Sequence, residues 1–66
     1  MTRKSQLVQR YEAAAAAHQH TSARQYEWAR SMLDRHDPRA AMMQNQAAYH
    51  AHVARTFLDR ALRIID

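Results

Sequence analysis

The sequence predicts an all-α protein, a two-helix antiparallel hairpin, and three observations lead to this fold class. Glycine is absent and proline occurs once in 66 residues, so the chain lacks the residues that most readily form tight turns. Helix-favouring alanine, arginine, glutamine, methionine and leucine dominate the composition. Apolar residues recur at intervals of three and four on both sides of the proline. A chain this short is expected to form a single domain over residues 1–66.

The single proline marks the predicted turn. In the segment LDRHDPRAAM, Asp37 can cap a helix with its carboxylate while Pro38 takes the first helical position, where no N–H is needed. The residue before a proline disfavours helical geometry, so the first helix should end near Arg35 or His36. The predicted elements are a first helix over about residues 3–35, a turn at 36–37 and a second helix over about 38–65.

The first helix contains one candidate break point. Ser22 followed by Gln25 matches a capping box, which raises the alternative of a break near Thr21 and three helices. An α-helix turns by about 100° per residue, and with this rotation one stripe of residues on both sides of Thr21 stays within an arc of about 80° on the helix surface. A helix that broke at Thr21 would have no reason to keep this alignment. The sequence therefore favours one long helix. The stripe consists of Val8, Tyr11, Ala15, His18, Ser22, Tyr26, Ala29 and Leu33.

The second helix carries a matching stripe. Folding the chain about residue 36 pairs positions whose numbers sum to about 72, so that a large side chain faces a small one at every level. Leu33 would then face Ala40, and His18 would face Ala54. The other predicted pairs are Ala29–Met43, Tyr26–Ala47, Ser22–His50, Ala15–Leu58 and Tyr11–Ala61, and the stripe itself ends at Ile65.

The histidines divide by helical phase. His18 and His50 lie on the inner stripes, whereas His20 and His52 are rotated by about 200° and point to solvent. A metal site would need His18 and His50 to converge, and no Glu-x-x-His motif supplies the carboxylates of di-metal bundles. We expect no metal and no cofactor, and interpret the inner pair as histidines hydrogen-bonded to neighbours such as Ser22.

Apolar residues beside the two stripes form what we call the second face. The flanks that carry them fall on the same side of an antiparallel hairpin, and exposed apolar patches of this kind usually mark an interface. We expect the hairpin to dimerise there into a four-helix bundle, with the face serving either as a dimer core alone or as a surface shared with a foreign partner. Its members are Leu7, Ala14, Thr21, Trp28, Met32, Met42, Tyr49, Val53, Phe57 and Ile64.

Residues suited to binding a partner concentrate at and beside this face. Trp28, Met32, Met42 and Tyr49 cluster near the turn and are of types enriched at protein contact surfaces. All basic residues except Lys4 are arginines, whose planar group binds carboxylates or phosphates bidentately. The arginines predicted to border the second face from the first helix are Arg3, Arg10 and Arg24.

Composition argues against several function classes. The chain has no cysteine, no glycine-rich loop and no recognisable order of serine, histidine and carboxylate, so we expect no catalytic residues and no enzyme. The longest apolar run, AAAAA, is far shorter than the roughly 20 residues that span a bilayer. The lack of cysteine fits a reducing compartment, so a cytoplasmic protein without membrane contact is expected.

In size and layout the chain resembles two groups of small helical hairpins. It is similar to hairpins that phages and mobile elements encode to disable host regulators, including quorum-sensing anti-activators. That resemblance implies an inhibitor or anti-activator that binds a larger host regulatory protein. The layout also resembles a plasmid-encoded hairpin dimer that binds RNA and regulates copy number, which implies the alternative of an RNA- or DNA-binding dimer using the arginines and Trp28.

Overall fold

The computed structural model describes residues 3–65 and contains two helices that pack against each other. Helix α1 spans Arg3–Asp34 and helix α2 spans Ala40–Ile65. Cross-helix contacts pair rising residue numbers in α1 with falling ones in α2, so the helices are antiparallel. The molecule measures 51 × 16 × 11 Å. The prediction of an all-helical hairpin is confirmed.

Helix α1 is continuous through Thr21 and Ser22, so the capping-box alternative is wrong. The Thr21 hydroxyl donates a hydrogen bond to the carbonyl oxygen of Ala17, one turn earlier, at 3.1 Å. The Ser22 hydroxyl donates to the carbonyl oxygen of Ala47 on the other helix at 2.8 Å. Both hydroxyls therefore bond to carbonyls, and neither caps a new helix by accepting from backbone N–H groups.

The turn covers residues 35–39 and is longer than the predicted 36–37. Helix α1 ends in a Schellman motif: the N–H of Asp37 donates to the carbonyl of Met32 at 2.8 Å, and the N–H of His36 donates to that of Leu33 at 3.0 Å. This motif requires a left-handed residue, which is His36 with φ of 57°. Because the chain has no glycine, a residue with a Cβ occupies a position that glycine usually fills.

Asp37 caps the start of α2, as predicted. Its Oδ1 accepts a hydrogen bond from the N–H of Arg39 at 2.9 Å. The Arg39 guanidinium also binds both carboxylate oxygens, the shorter contact being 2.7 Å. These hydrogen bonds, first from the side chain and then from the backbone of Arg39, lower the pKa of Asp37 from 3.8 to about 2. The regular helix begins at Ala40, two residues after the predicted start.

The two helices meet along small residues spaced seven apart. This spacing matches the repeat of a coiled coil, and small side chains let the two backbones approach closely. Ala47 is 0% exposed, and the bond from Ser22 to its carbonyl sets the register at this level. The buried small residues are Ala15, Ser22 and Ala29 on α1 and Ala40, Ala47, Ala54 and Ala61 on α2.

The predicted pairing of large with small side chains is wrong. Ser22 lies against Ala47 rather than His50, and His18 contacts His50 and Phe57, the residues that flank its predicted partner Ala54. Layers of small residues therefore alternate with layers of large ones. For His18 the contacts thus lie about one turn to either side of the predicted partner, and the same stripes still face inward.

Three large residues assigned to the inner stripe are exposed instead. Leu33 is 52% exposed, and Tyr26 and Leu58 are exposed as well. Met32, predicted on the second face, is buried at 5% exposure. The physical reason is that the helices touch along the small residues spaced seven apart, not along the broader predicted stripe. This line of contact rotates α1 so that Met32 faces inward and Leu33 faces outward.

Candidate functional site

The second face remains largely open to solvent in the hairpin. Trp28 is 58% exposed and Tyr49 is 63% exposed, and Leu7 and Met42 are exposed too. The predicted members Ala14, Thr21, Val53, Phe57 and Ile64 are half-buried and form its floor. Met32 does not belong to this surface, because it is buried between the helices.

A row of aromatic and imidazole rings runs along this face, and the sequence analysis missed it. Tyr11 contacts Phe57 with ring centroids 5.9 Å apart, and Phe57 contacts His18 at 5.8 Å. His18 contacts His50 at 5.1 Å, and Tyr49 meets the edge of His50 at 5.5 Å. The row links α1 to α2 at the large-residue layers. The seven-residue spacing of the small residues would have indicated it, because it places Tyr11 and His18 at one heptad position and His50 and Phe57 at its counterpart.

The two histidines of the row meet edge to edge. Their Nδ1 atoms are 2.9 Å apart, and the ring planes differ by 25°. The centroid distance of 5.1 Å is about equal to the nitrogen separation plus two ring radii, so the nitrogens lie between the rings rather than the faces being stacked. One Nδ1 must donate and the other accept, so the neutral pair contains two different tautomers. The histidines are thus hydrogen-bonded, but to each other, whereas the predicted partner Ser22 donates to the Ala47 carbonyl instead.

Polar and cationic groups complete the floor of the face. The guanidinium carbon of Arg60 lies 5.9 Å from the centroid of the Phe57 ring, within cation–π range. Gln25 donates from Nε2 to Oε1 of Gln46 at 3.4 Å. The Oε1 of Gln25 is buried and has no hydrogen-bond partner within residues 3–65.

Arginines line the outer edge of the face. Arg3, Arg10 and Arg24 are exposed, and none of them forms an ion pair with another residue in the described part of the chain. Helical phase places Arg24 beside Trp28, and these two residues help to line a shallow depression of about 220 Å³. The other lining residues are His20, Thr21 and Gln25.

The carboxylates within the helices lie away from this side. Helical phase directs Glu27 and Asp34 on α1, and Asp59 on α2, toward the outer surfaces opposite the helix–helix contact, and directs Glu12 to the opposite side of the hairpin. Asp37, at the turn, is already paired with Arg39. The second face therefore combines an apolar centre with a positively charged border.

The opposite side of the hairpin carries a second apolar strip, with as many exposed large apolar side chains as the second face. It is formed by the residues that the sequence analysis placed inside, Tyr26, Leu33 and Leu58, together with Leu62. Tyr26 and Leu58 help to line an open groove of about 400 Å³. This strip has no row of ring contacts like that of the second face among the described residues.

The hairpin exposes more surface than a compact monomer of its mass. Its accessible area is 5321 Å², whereas a folded monomer of 7.7 kDa typically exposes about 4,300 Å². The excess of about 1,000 Å² exceeds the roughly 800 Å² that each partner buries in a standard protein interface. The excess reflects the elongated shape of the hairpin, which is 51 Å long and only 16 × 11 Å across.

Two further properties bear on function. No three histidine, cysteine, aspartate or glutamate side chains within residues 3–65 lie close enough together to hold a metal ion. Neither of the two described helices has a segment long and apolar enough to cross a membrane.

The fold and the face define a class of protein: an all-helical hairpin with one open, arginine-bordered apolar side. No protein-family model, characterised protein or solved structure matches the chain.

Proposed function

We propose that the protein is a non-enzymatic protein-binding module whose binding surface is the second face. The observation that carries this proposal is the presence of exposed Trp28, Met42 and Tyr49 on one side of a hairpin that exposes excess surface. Tryptophan and tyrosine dominate the energetics of protein interfaces, and methionine adapts to partners of different shape. The module is of the inhibitor or anti-activator kind, which acts by covering a surface of a larger regulatory protein in the cytoplasm.

In the absence of that partner, a second copy of the chain occupies the second face and forms an antiparallel four-helix bundle. A dimer buries part of the excess surface of the hairpin and covers Phe57, Val53 and Ile64, which are only half-buried in one chain. The arginine borders of the two copies are brought together in such a bundle, without facing carboxylates. Raised salt should therefore strengthen the dimer by screening this repulsion.

The charge of the border favours a regulatory partner with an acidic rim around an apolar groove. Arg3, Arg10 and Arg24 are free of ion pairs within the described residues and can form bidentate contacts with carboxylates. Salt should weaken this hetero-complex and strengthen the homodimer. The opposite salt dependences separate the two kinds of association.

Sedimentation equilibrium on the purified chain tests the proposal. We expect a dimer whose dissociation constant rises at least tenfold in Trp28→Ala and in Tyr49→Ala, because each change removes an aromatic anchor. Tyr26→Ala is the matched control, since it removes an exposed aromatic ring from the opposite side and should leave the constant unchanged. A monomer at all concentrations and salt levels, or equal weakening by Tyr26→Ala, would contradict the dimer.

Nucleic-acid binding is the second candidate, favoured by the exposed row of arginines beside Trp28. Base stacking on tryptophan and phosphate contacts from arginine are typical of such surfaces. Fluorescence of Trp28 during titration with single-stranded RNA tests it. Quenching that disappears in Arg10→Gln and falls steeply with salt would support RNA binding in place of an acidic protein, whereas no quenching at low salt would exclude it.

A further inference from the structure

The histidine pair on the second face brings two imidazole nitrogens from different helices within chelating distance of each other. His18 and His50 are separated by 32 residues in the sequence, yet their Nδ1 atoms lie 2.9 Å apart. Both side chains are half-buried, and they are reachable from the open second face. The sequence analysis required convergence of these two residues for any metal site, and the structure meets that condition.

The nitrogen separation suits one group of metals. Imidazole nitrogens bind transition metals at about 2.0–2.1 Å. Two such bonds at a right angle, as in the tetragonal coordination of Cu²⁺ or Ni²⁺, separate the nitrogens by about 2.9 Å. Tetrahedral coordination of Zn²⁺ separates them by about 3.3–3.4 Å. The 2.9 Å found here is the length of the hydrogen bond between the two rings, and it is closer to the right-angled value than to the tetrahedral one.

We propose that His18 and His50 form a two-histidine site for a divalent transition-metal ion of the Cu²⁺ or Ni²⁺ type, bound through both Nδ1 atoms. The ion takes the place of the hydrogen that now lies between the nitrogens. Each ring must turn by about 45°, because the nitrogens now point at each other and a right-angled chelate needs their lone pairs to meet beside the line that joins them. The displaced proton passes through water to Nε2 of the same ring, so both ligands are neutral imidazoles and no net proton is released.

The protein supplies two ligands to this ion, because no cluster of three ligand-type side chains occurs within residues 3–65. Water or an added small ligand fills the remaining positions, which face the open side of the hairpin. One ligand comes from each helix, so the bound ion links α1 to α2. It should therefore raise the melting temperature of the hairpin, since it binds the folded chain and finds no preformed pair in the unfolded chain.

Four single variants provide a matched test. His18→Gln and His50→Gln each remove one proposed ligand, whereas His20→Gln and His52→Gln each remove an exposed histidine two residues further along the same helix. Isothermal titration with CuCl₂ and with NiCl₂ measures stoichiometry and affinity, and circular dichroism measures the melting temperature with and without the ion. The measurements use the full chain at a concentration where sedimentation shows a monomer, because a dimer formed through the second face would cover the histidine pair.

We expect one ion per chain, a loss of affinity of at least tenfold in His18→Gln and in His50→Gln, and unchanged affinity in the two controls. The melting temperature of the wild-type chain should rise by several degrees with saturating Ni²⁺, and that rise should vanish in the two ligand variants. Unchanged binding in the ligand variants, or loss of binding in His20→Gln or His52→Gln, would overturn the site in favour of surface histidines.

A further variant covers the case in which a ligand variant fails to fold. A chain carrying His20→Gln, His36→Gln and His52→Gln together retains only the proposed pair. It should bind one ion with the affinity of the wild-type chain and show the same rise in melting temperature. Absence of binding by this folded variant would refute the proposal without any change at His18 or His50.

Discussion

Ser22 and Ala47 lie against each other across the two helices, with the Ser22 hydroxyl donating a hydrogen bond to the Ala47 carbonyl oxygen at 2.8 Å. Both residues are buried, and they belong to the small-residue layers that let the helices approach closely. The alternation of these layers with layers of rings positions the histidine pair and the open second face. The stability of the hairpin should accordingly depend on side-chain volume at these positions.

Ala47→Leu should destabilise the hairpin. Ala47 is completely buried where the backbones are close, so a larger side chain must separate the helices, at a cost of about 1–3 kcal/mol. Urea denaturation followed by circular dichroism measures this change. Ala48→Leu, at the exposed neighbouring position, is the control and should alter stability by no more than about 0.5 kcal/mol. Equal effects of the two changes would refute the close contact at Ala47.

Met32→Ala and Leu33→Ala should differ strongly although the residues are adjacent. Met32 is buried, so its truncation should cost about 2–3 kcal/mol, whereas Leu33 is more than half exposed and its truncation should cost about 0.5 kcal/mol or less. The stripe predicted from the sequence requires the reverse order. Denaturation curves of the two variants therefore decide directly between the two rotations of α1.

His36→Gly should stabilise the hairpin by up to about 1 kcal/mol. His36 has φ of 57°, and glycine adopts this left-handed conformation without the steric cost of a Cβ. His36→Ala retains the Cβ and should bring no gain, which separates the backbone effect from loss of the imidazole. Thermal denaturation of the three chains is the measurement. A loss of stability in His36→Gly would mean that the imidazole contributes more than the backbone conformation costs.

The cap of α2 should be sensitive to acid. Hydrogen bonds from Arg39 lower the pKa of Asp37 to about 2, below its unfolded value of 3.8. The stabilisation from this carboxylate is therefore complete above about pH 4 and is lost as the pH falls from about 4 toward 2. The melting temperature of the wild-type chain should decline through this window.

Asp37→Asn tests this assignment. Asparagine can still accept the hydrogen bond from the Arg39 N–H but carries no charge, so its melting temperature should decline less between pH 4 and pH 2. Asp59→Asn, an exposed change within α2, should leave the decline at its wild-type size. A decline of wild-type size in Asp37→Asn would remove Asp37 as its source.

The sequence by itself determined the class of the fold and the position of the turn. The features that predict them act locally and can therefore be read from one sequence. They are the absence of glycine, the abundance of helix formers and the single Pro38 after the capping residue Asp37. The continuity of α1 past Ser22 followed from helical phase, which is also a local property. The exposure of Trp28, Met42 and Tyr49 agrees with the surface predicted for them.

Only the tertiary structure decided the register and rotation of the helices. Registers that differ by one turn present the same stripes, so the sequence could not choose between pairing Ser22 with His50 and pairing it with Ala47. The choice depends on how closely two backbones approach, which is a property of both helices together. The close approach of the helices places Met32 inside and Leu33 outside, and it brings His18 to His50. Periodicity alone leaves such arrangements equivalent, whereas packing at contact distance distinguishes them.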